Sequence, residues 1–275
     1  MTVNPALRWP QPVRLSHAPE TPWPVSVGTL QRAWRAIKAG DYDNRQPSLV
    51  QQRQDDPLEG WMPDADEQVV TIVGAAGGVG ATIVALAVAT AGAPSRLLEG
   101  RPPERSGLQG ACTAELGETD GWLHGRRGEV ELFRGGIPVQ PVVPTRAADC
   151  RLTVVDRGCW LDDVGAWLHS AGSAESPIVL VAPATVPGLR RAEACLIDLP
   201  ADRVVVASVG GPVRRWPRPL AASAGATCSR LLDLNRWVAV PTRPDLAMNG
   251  ITPAELPRDV AAAGRQILTC LEGLN

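Results

Sequence analysis

Lysine is almost missing from this chain. Of the 27 lysine and arginine residues among 275 positions, only Lys38 is a lysine, and the formal net charge is −2. A chain this close to neutral has no strong global field to attract nucleic acid or anionic lipid, so binding driven by bulk charge is excluded. Drift in an arginine-rich chain would replace a lysine by arginine. If a motif that usually carries lysine has alanine in this chain, the positive charge has therefore been lost and not exchanged for arginine.

Metal-ligating patterns are missing as well. The six cysteines include no CxxC pair, and the three histidines are not grouped near them. A metal site or a disulfide framework is therefore not expected. We expect reduced, buried cysteines, as in a cytosolic protein. No positively charged segment leads into an apolar run at the N-terminus, so no signal peptide is predicted.

Charge is missing from Val69 to Ser95, a stretch long enough in principle to cross about 30 Å of hydrocarbon. The glycine cluster GAAGGVG, which disfavours a helix, interrupts it near its middle. The stretch therefore divides into a short β-branched run, VVTIV, and an alanine-rich run, ATIVALAVATA. A buried strand followed by a buried helix is predicted in preference to a membrane span.

Residues 1–66 are rich in proline, glutamine and aspartate and form a predicted tail. Leu30, Trp34 and Ile37 recur at helical spacing, which predicts one helix over 26–40, capped by Ser26. The following run, NRQPSLVQQRQDDPLEG, is typical of a linker. Three alternatives stay open for the helix: it packs on its own domain, it docks on a partner, or it is disordered.

Strand-like and helix-like runs alternate from residue 67 to residue 275. The predicted strands are VVTIV, RLLEG, ELFRG, RLTVVDRG, PIVLVAPA, DRVVVASVGG and WVAVP. The predicted helices are ATIVALAVATA, DDVGAWLHSAG, PGLRRAEACLIDL and LPRDVAAAGRQILTCL. Apolar strands separated by helices indicate an α/β domain, with a mostly parallel sheet covered by helices on both faces.

A glycine-rich turn, GAAGGVGAT, leads from the first strand into the first helix. Glycines let backbone N–H groups converge, and the helix N-terminus adds partial positive charge, so such a turn suits a phosphate. The general pattern ends in Gly-Lys-Ser/Thr, where the lysine reaches the β- and γ-phosphates and the hydroxyl binds Mg²⁺. Here Gly80, Ala81 and Thr82 follow one another, so the hydroxyl is kept and the cation is lost.

The segment AAGGVGAT resembles the deviant Walker A motif of the ParA/MinD family of P-loop ATPases, Lys-Gly-Gly-x-Gly-Lys-Thr/Ser. Ala76 stands where that family has its signature lysine, and Ala81 stands where it has the P-loop lysine. LTVVDRG is similar to the family's Walker B strand, with Asp156 at the position that organises Mg²⁺ and water. The resemblance implies a P-loop fold that has lost both loop lysines.

Two later segments extend the resemblance to about residues 69–272. LVAPATVPGLRRAE is similar to the strand and turn that carry the family's proline, here Pro183. WVAVPTRPDLAMNGITPAELP is similar to the segment near the adenine, with Pro241 and Asp245. Where a second strand usually carries two aspartates, RLLEGRPPERSGL has Glu99 and Arg101. The family's purine-reading asparagine would fall at VVVASVGG, which has Ala207 and Ser208 instead.

The resemblance implies a site for ATP or ADP with Mg²⁺, weakened or lost with the lysines. Thr82 and Asp156 would hold the metal, and Asp156 would be the catalytic residue if the protein were active. The remaining implied nucleotide-binding residues lie in the loop and after the last strand: Gly77, Gly78, Val79, Gly80, Ala81 and Pro241.

Three functions stay open at this stage. The first is a scaffold or regulator that does not hydrolyse ATP and acts in partition, positioning, conjugation or secretion machinery. Such a protein would bind protein partners, and whether it forms a homodimer stays open. The second is a slow ATPase in which an arginine replaces the loop lysines. The third is a DNA-binding accessory protein that uses Arg214, Arg215 and Arg218 of VRRWPRP. A solvated loop is the simpler interpretation of that segment, and also of HGRRGE with Arg126 and Arg127.

Overall fold

The computed structural model describes residues 58, 61–99, 106–135, 142–159 and 176–274. Arg53–Asn275 form one compact unit. The predicted helix over 26–40, the predicted helix DDVGAWLHSAG and Arg101 lie outside the described residues. The division between tail and domain at residue 66 stays a prediction.

Most of the apolar runs form one nine-stranded sheet within the described chain. Its strands are β1 (Gln68–Gly74), β2 (Ser95–Glu99), β3 (Ala114–Thr119), β4 (Trp122–Arg127), β5 (Val130–Gly135), β6 (Leu152–Cys159), β7 (Ile178–Pro183), β8 (Val204–Val209) and β9 (Trp237–Val240). Their order across the sheet is β3-β4-β5-β2-β6-β1-β7-β8-β9. Across the sheet, each pair of neighbouring strands in the series β5-β2-β6-β1-β7-β8-β9 is parallel. The pairs β3–β4 and β4–β5 are antiparallel. The predicted mostly parallel α/β sheet is confirmed.

The helices follow the strands along the chain. They are α1 (Ala81–Ala91), α2 (Val186–Asp198), α3 (Arg218–Ala221), α4 (Ala226–Asp233), α5 (Pro244–Asn249) and α6 (Arg258–Glu272). Helix α1 coincides with the predicted run ATIVALAVATA, so the division of the charge-free stretch into strand and helix is confirmed. In the described part of the chain, no helix has the length and apolar character that a membrane crossing requires.

Successive side chains of a strand point to opposite faces of the sheet, so each strand supplies apolar side chains to both faces. Helices pack on these side chains and cover both faces. On the first face, Val70 and Ile72 of β1 belong to a core cluster that includes residues of α1 and α6. On the second face, Val73 packs in a cluster with residues of α2 and α4. A third cluster joins Leu58, which is 1% exposed, to Trp122 and their neighbours, with Trp61 packed against it.

The antiparallel strands β3 and β4 were not predicted, and they correct one interpretation of the sequence. HGRRGE was expected to be a solvated loop, but it belongs to the β4–β5 hairpin. Strand alternation turns Arg126 outward and Arg127 inward, so that Arg127 is 8% exposed. The Arg127 guanidinium donates hydrogen bonds to the carbonyl oxygens of Ala111 (2.9 Å), Thr252 (2.6 Å) and Ala254. Arg127 therefore joins the hairpin to the segment before α6.

All six cysteines are free thiols. Four are buried and two, Cys112 and Cys270, are half-buried. Burial raises the pKa of the Cys195 and Cys228 thiols to about 12. These thiols are therefore protonated near neutral pH and poor nucleophiles.

Candidate functional site

The glycine loop lies at the carboxyl end of the central strand. Strand β1 sits between β6 and β7 and ends at Gly74, and α1 begins at Ala81. The N–H of Ala75 donates to the carbonyl oxygen of Val181 at 2.8 Å, which fastens the start of the loop to β7. Ligands of open parallel sheets bind at this edge, beyond the carboxyl ends of the strands.

Two glycines give the loop its shape. Gly78 and Gly80 have φ angles of 74° and 91°, a left-handed conformation that side chains with a Cβ rarely adopt. Gly80 is also the N-cap of α1, and no side chain caps the helix there. Within the described residues, the backbone N–H groups of residues 77–83 donate to no protein acceptor. They are therefore available to an anion at the positive end of the helix dipole.

The two positions at which the resemblance predicts lysines hold buried methyl groups. Ala76 is 9% exposed and Ala81 is 8% exposed, and Ala81 belongs to the core cluster of the first face. The loop thus presents backbone amides without a side-chain cation of its own. Amides alone can orient a phosphate, but they supply no full positive charge against its negative charge.

Thr82 and Asp156 are the two side chains predicted to hold a metal. Thr82 lies in the first turn of α1 and is half-buried. Asp156 lies in β6, where it is paired in register with Ile72 of the neighbouring β1, and it is 0% exposed. One Asp156 oxygen, Oδ1, accepts a hydrogen bond from the N–H of Gly158 at 2.8 Å. This bond orients the carboxylate within its own strand.

Glu99 ends β2 beside Asp156, with which it is paired in register. It is 0% exposed, and its Oε1 accepts a hydrogen bond from the N–H of Gly107 at 2.9 Å. Its Oε2 accepts a hydrogen bond from the hydroxyl of Ser106. The sequence suggested only that Glu99 replaces an aspartate. The contribution of Ser106 and Gly107 was missed, because no spacing rule connects them to Glu99.

The residues expected at the base of a nucleotide take part in packing. Ala207 is fully buried in the core of the first face. Ser208 is also 0% exposed, and its hydroxyl accepts a hydrogen bond from the indole N–H of Trp237 at 2.8 Å. Both side chains are thus engaged in the core, and neither is exposed to contact a purine.

The segment after β9 is more open. Pro241 is half-buried and follows the strand directly. Asp245 is exposed in the first turn of α5, and the Arg243 Nε donates to it at 3.2 Å. This hydrogen bond from Arg243 lowers the pKa of the Asp245 carboxyl below its ordinary value. Asp245 is thus an ionised surface residue that is engaged with its neighbour.

The three arginines of VRRWPRP are exposed beyond the end of β8. Arg214 and Arg215 lie in a short 3-10 helix, and Arg218 begins α3. None of them forms an ion pair with a carboxylate among the described residues. Trp216, between them, is half-buried and packs edge-on against Trp237, with the ring centroids 5.8 Å apart. The arginines are therefore displayed on a segment that is anchored by an aromatic side chain.

Comparison with solved structures finds ParA and MinD ATPases. MinD of Aquifex aeolicus is 16% identical, with a TM-score of 0.48 over 75% of this chain and 97% of its own. The cell division ATPase MinD of Pyrococcus furiosus is 16% identical, with a TM-score of 0.47 over 76% and 99%. A putative plasmid partition protein of Borrelia burgdorferi, bound to AMPPNP, is 12% identical, with a TM-score of 0.41 over 75% and 98%. At these identities the similarity concerns the fold alone.

No family model matches the sequence, and no curated protein matches it.

Proposed function

We propose that this protein is a degenerate member of the ParA/MinD-like P-loop proteins that does not hydrolyse ATP. It would act as a scaffold or regulator in an assembly for partition, positioning, conjugation or secretion. The observation that carries the proposal is the loop itself. It has left-handed glycines and open amides, while buried alanines stand at 76 and 81, the two lysine positions.

The size of the lost interaction supports a protein without turnover. A charge-assisted hydrogen bond contributes about 1.5–3 kcal/mol, so losing two would weaken triphosphate binding by roughly 10²- to 10⁴-fold. Hydrolysis should suffer more, because phosphoryl transfer depends largely on electrostatic stabilisation of the transition state. We therefore expect weak binding of ATP or ADP with Mg²⁺, held by the loop amides, Thr82 and Asp156.

The first test measures ATP turnover on the purified full-length protein. We expect none above background in the wild type, and a gain in the double variant Ala76→Lys/Ala81→Lys, because both cations would then reach the phosphates. Ala261→Lys/Ala262→Lys on α6 is a matched control that adds the same charge away from the loop. Turnover in the wild type that disappears in Asp156→Ala would refute the proposal and favour an ATPase that uses arginine.

A second candidate function rests on the exposed arginines 214, 215 and 218, which have no carboxylate partner among the described residues. We propose that these arginines form a DNA contact that does not depend on nucleotide. Replacing all three by alanine would then abolish a salt-sensitive shift of DNA in a gel. An unchanged shift, or no shift in the wild type, would exclude this contact.

A further inference from the structure

A short segment lies against Thr82, in the first turn of α1, and a buried carboxylate holds it. We call residues 106–111 the strap. Glu99, at the end of β2, accepts hydrogen bonds from the N–H of Gly107 and the hydroxyl of Ser106. The Ser106 oxygen in turn accepts the N–H of Leu108 at 3.1 Å. Glu99 therefore holds Ser106 and Gly107 directly, and Ser106 holds Leu108.

The other end of the strap is anchored in the core. Leu108 and Ala111 are both 0% exposed and belong to the cluster that includes residues of α1. The Ala111 carbonyl accepts a hydrogen bond from Arg127, and the Ala111 N–H donates to the Leu108 carbonyl at 2.9 Å. The core thus holds the strap at Leu108 and Ala111, whereas hydrogen bonds to Glu99 hold it at Ser106 and Gly107.

Gly107 places the strap directly on Thr82. A Cβ added to Gly107 would lie 3.0 Å from both the Oγ1 and the Cγ2 of Thr82. Contacts this short are rare, so the strap can approach the hydroxyl closely only because residue 107 has no side chain. The hydroxyl of Thr82 therefore has the backbone of Gly107 beside it.

We propose that the strap is a cover over the Thr82 hydroxyl and that Glu99 holds this cover closed. Thr82 is the one side chain that the loop keeps for a Mg²⁺-bound phosphate. The cover would thus restrict access to the Thr82 hydroxyl. An event that released Ser106 and Gly107 from Glu99 would expose this hydroxyl. The inference rests on the proposed function only in naming what Thr82 would bind. The closed cover itself is independent of nucleotide.

Thiol labelling tests the cover without any nucleotide. In the full chain, Thr82→Cys places a thiol under the strap, and its reaction with a small maleimide is followed by mass spectrometry. The tryptic peptide that ends at Arg96 contains no native cysteine, so its signal is specific to position 82. Burial also raises the pKa of the native thiols Cys112, Cys150 and Cys270, which keeps their reaction slow.

We expect slow labelling of Thr82→Cys and an increase of about tenfold or more when Glu99→Ala is added, since one charge-assisted hydrogen bond is worth about a decade in an opening equilibrium. Ser106→Ala should give a smaller increase because it removes one anchor. Gly107→Ala should also increase labelling, by steric displacement. Glu118→Ala, an exposed glutamate on β3, is the matched control and should change nothing.

Equal labelling rates with and without the Glu99→Ala substitution would overturn the cover, provided that the thermal unfolding curves show folded proteins. If Glu99→Ala does not fold, Ser106→Ala and Gly107→Ala decide the question, and unchanged rates in both would overturn it. ATP turnover in the wild type would refute the proposed function but would leave these labelling rates as they are. The two failures are therefore distinguishable.

Discussion

At the scale of single residues, two alanine side chains leave the glycine loop without a positive charge of its own. Ala76 and Ala81 stand where the sequence resemblance predicts lysines, in a chain whose only lysine is Lys38. Other basic side chains serve the fold instead. Arg96, for example, is 2% exposed and donates through Nε to the Thr153 hydroxyl and through a terminal nitrogen to Glu67, both at 2.7 Å. Its charge is thus compensated within the protein.

Arg127 offers a prediction at this scale. Replacing Arg127 by methionine keeps most of the side-chain volume but leaves the carbonyl groups of Ala111, Thr252 and Ala254 without their donor. We expect the free energy of unfolding to fall by about 1–3 kcal/mol, because the buried carbonyl of Ala111 loses its donor, whereas Thr252 and Ala254 are exposed and their carbonyls can bind water. Urea denaturation measures it. Arg126→Met, on the exposed side of the same strand, should change it by less than about 0.5 kcal/mol, and an equal loss in both would contradict the assignment.

At the scale of elements, the hairpin β3–β4 gives the sheet a protected edge. All six residues of β3 are exposed, and its pairing with β4 is interrupted by a register shift between Glu115 and Gly117. Glu115 and Glu118 add charge to this edge. Bulges and charges are common ways in which an open strand avoids pairing with another chain. The edge is therefore a poor place for a partner strand.

A link between two helices gives a prediction that depends on pH. Glu193 of α2 accepts the N–H groups of Thr227 and Cys228, both at 2.8 Å, at the start of α4. Helix α4 has no side-chain cap of its own, so Glu193 supplies one. Burial by itself raises the pKa of Glu193, but the hydrogen bonds from Cys228 and Thr227 outweigh it and lower the pKa below its ordinary value.

A carboxylate with a lowered folded-state pKa stabilises the protein above its unfolded pKa, and this contribution is lost as the pH falls through the folded value. At pH 7 we expect Glu193→Gln to lower the free energy of unfolding by about 1 kcal/mol, as for a lost helix cap. The difference from wild type should shrink below about pH 4.3. Urea midpoints from pH 7 to pH 3 measure it, with Glu118→Gln as control. A difference that stays constant with pH would refute the charge-dependent cap.

At the scale of the whole molecule, weak nucleotide binding should leave the stability of the fold nearly unchanged. For a dissociation constant of about 1 mM or weaker, 1 mM ligand adds at most about 0.4 kcal/mol. We therefore expect 1 mM ATP with Mg²⁺ to raise the Tm by less than about 2 °C in the wild type. Ala76→Lys/Ala81→Lys should raise the shift to several degrees. A shift of several degrees in the wild type would show that the loop binds tightly without its lysines.

Much of the fold could be predicted because its signals are local. VVTIV and ATIVALAVATA were assigned to a strand and a helix from their apolar pattern, and both are confirmed. Strands β3 and β4 were missed because their runs are short, polar and interrupted by glycine, so that only their pairing, β3 with β4 and β4 with β5, makes them strands. Arg127 was misjudged for the same reason, since the burial of one residue in a hairpin depends on which face of the sheet it meets.

The sequence alone determined that the glycine-rich turn joins a buried strand to a helix and that the turn contains no lysine. Both properties depend only on the identity of the residues and on their order along the chain. Only the tertiary structure decided where the buried polar groups go. Glu99 holds Ser106 and Gly107 on Thr82, and Ser208 holds Trp237, through contacts between segments that are far apart or separated by loops. Such contacts follow from the packing of strands and helices into one sheet, and no local pattern encodes them.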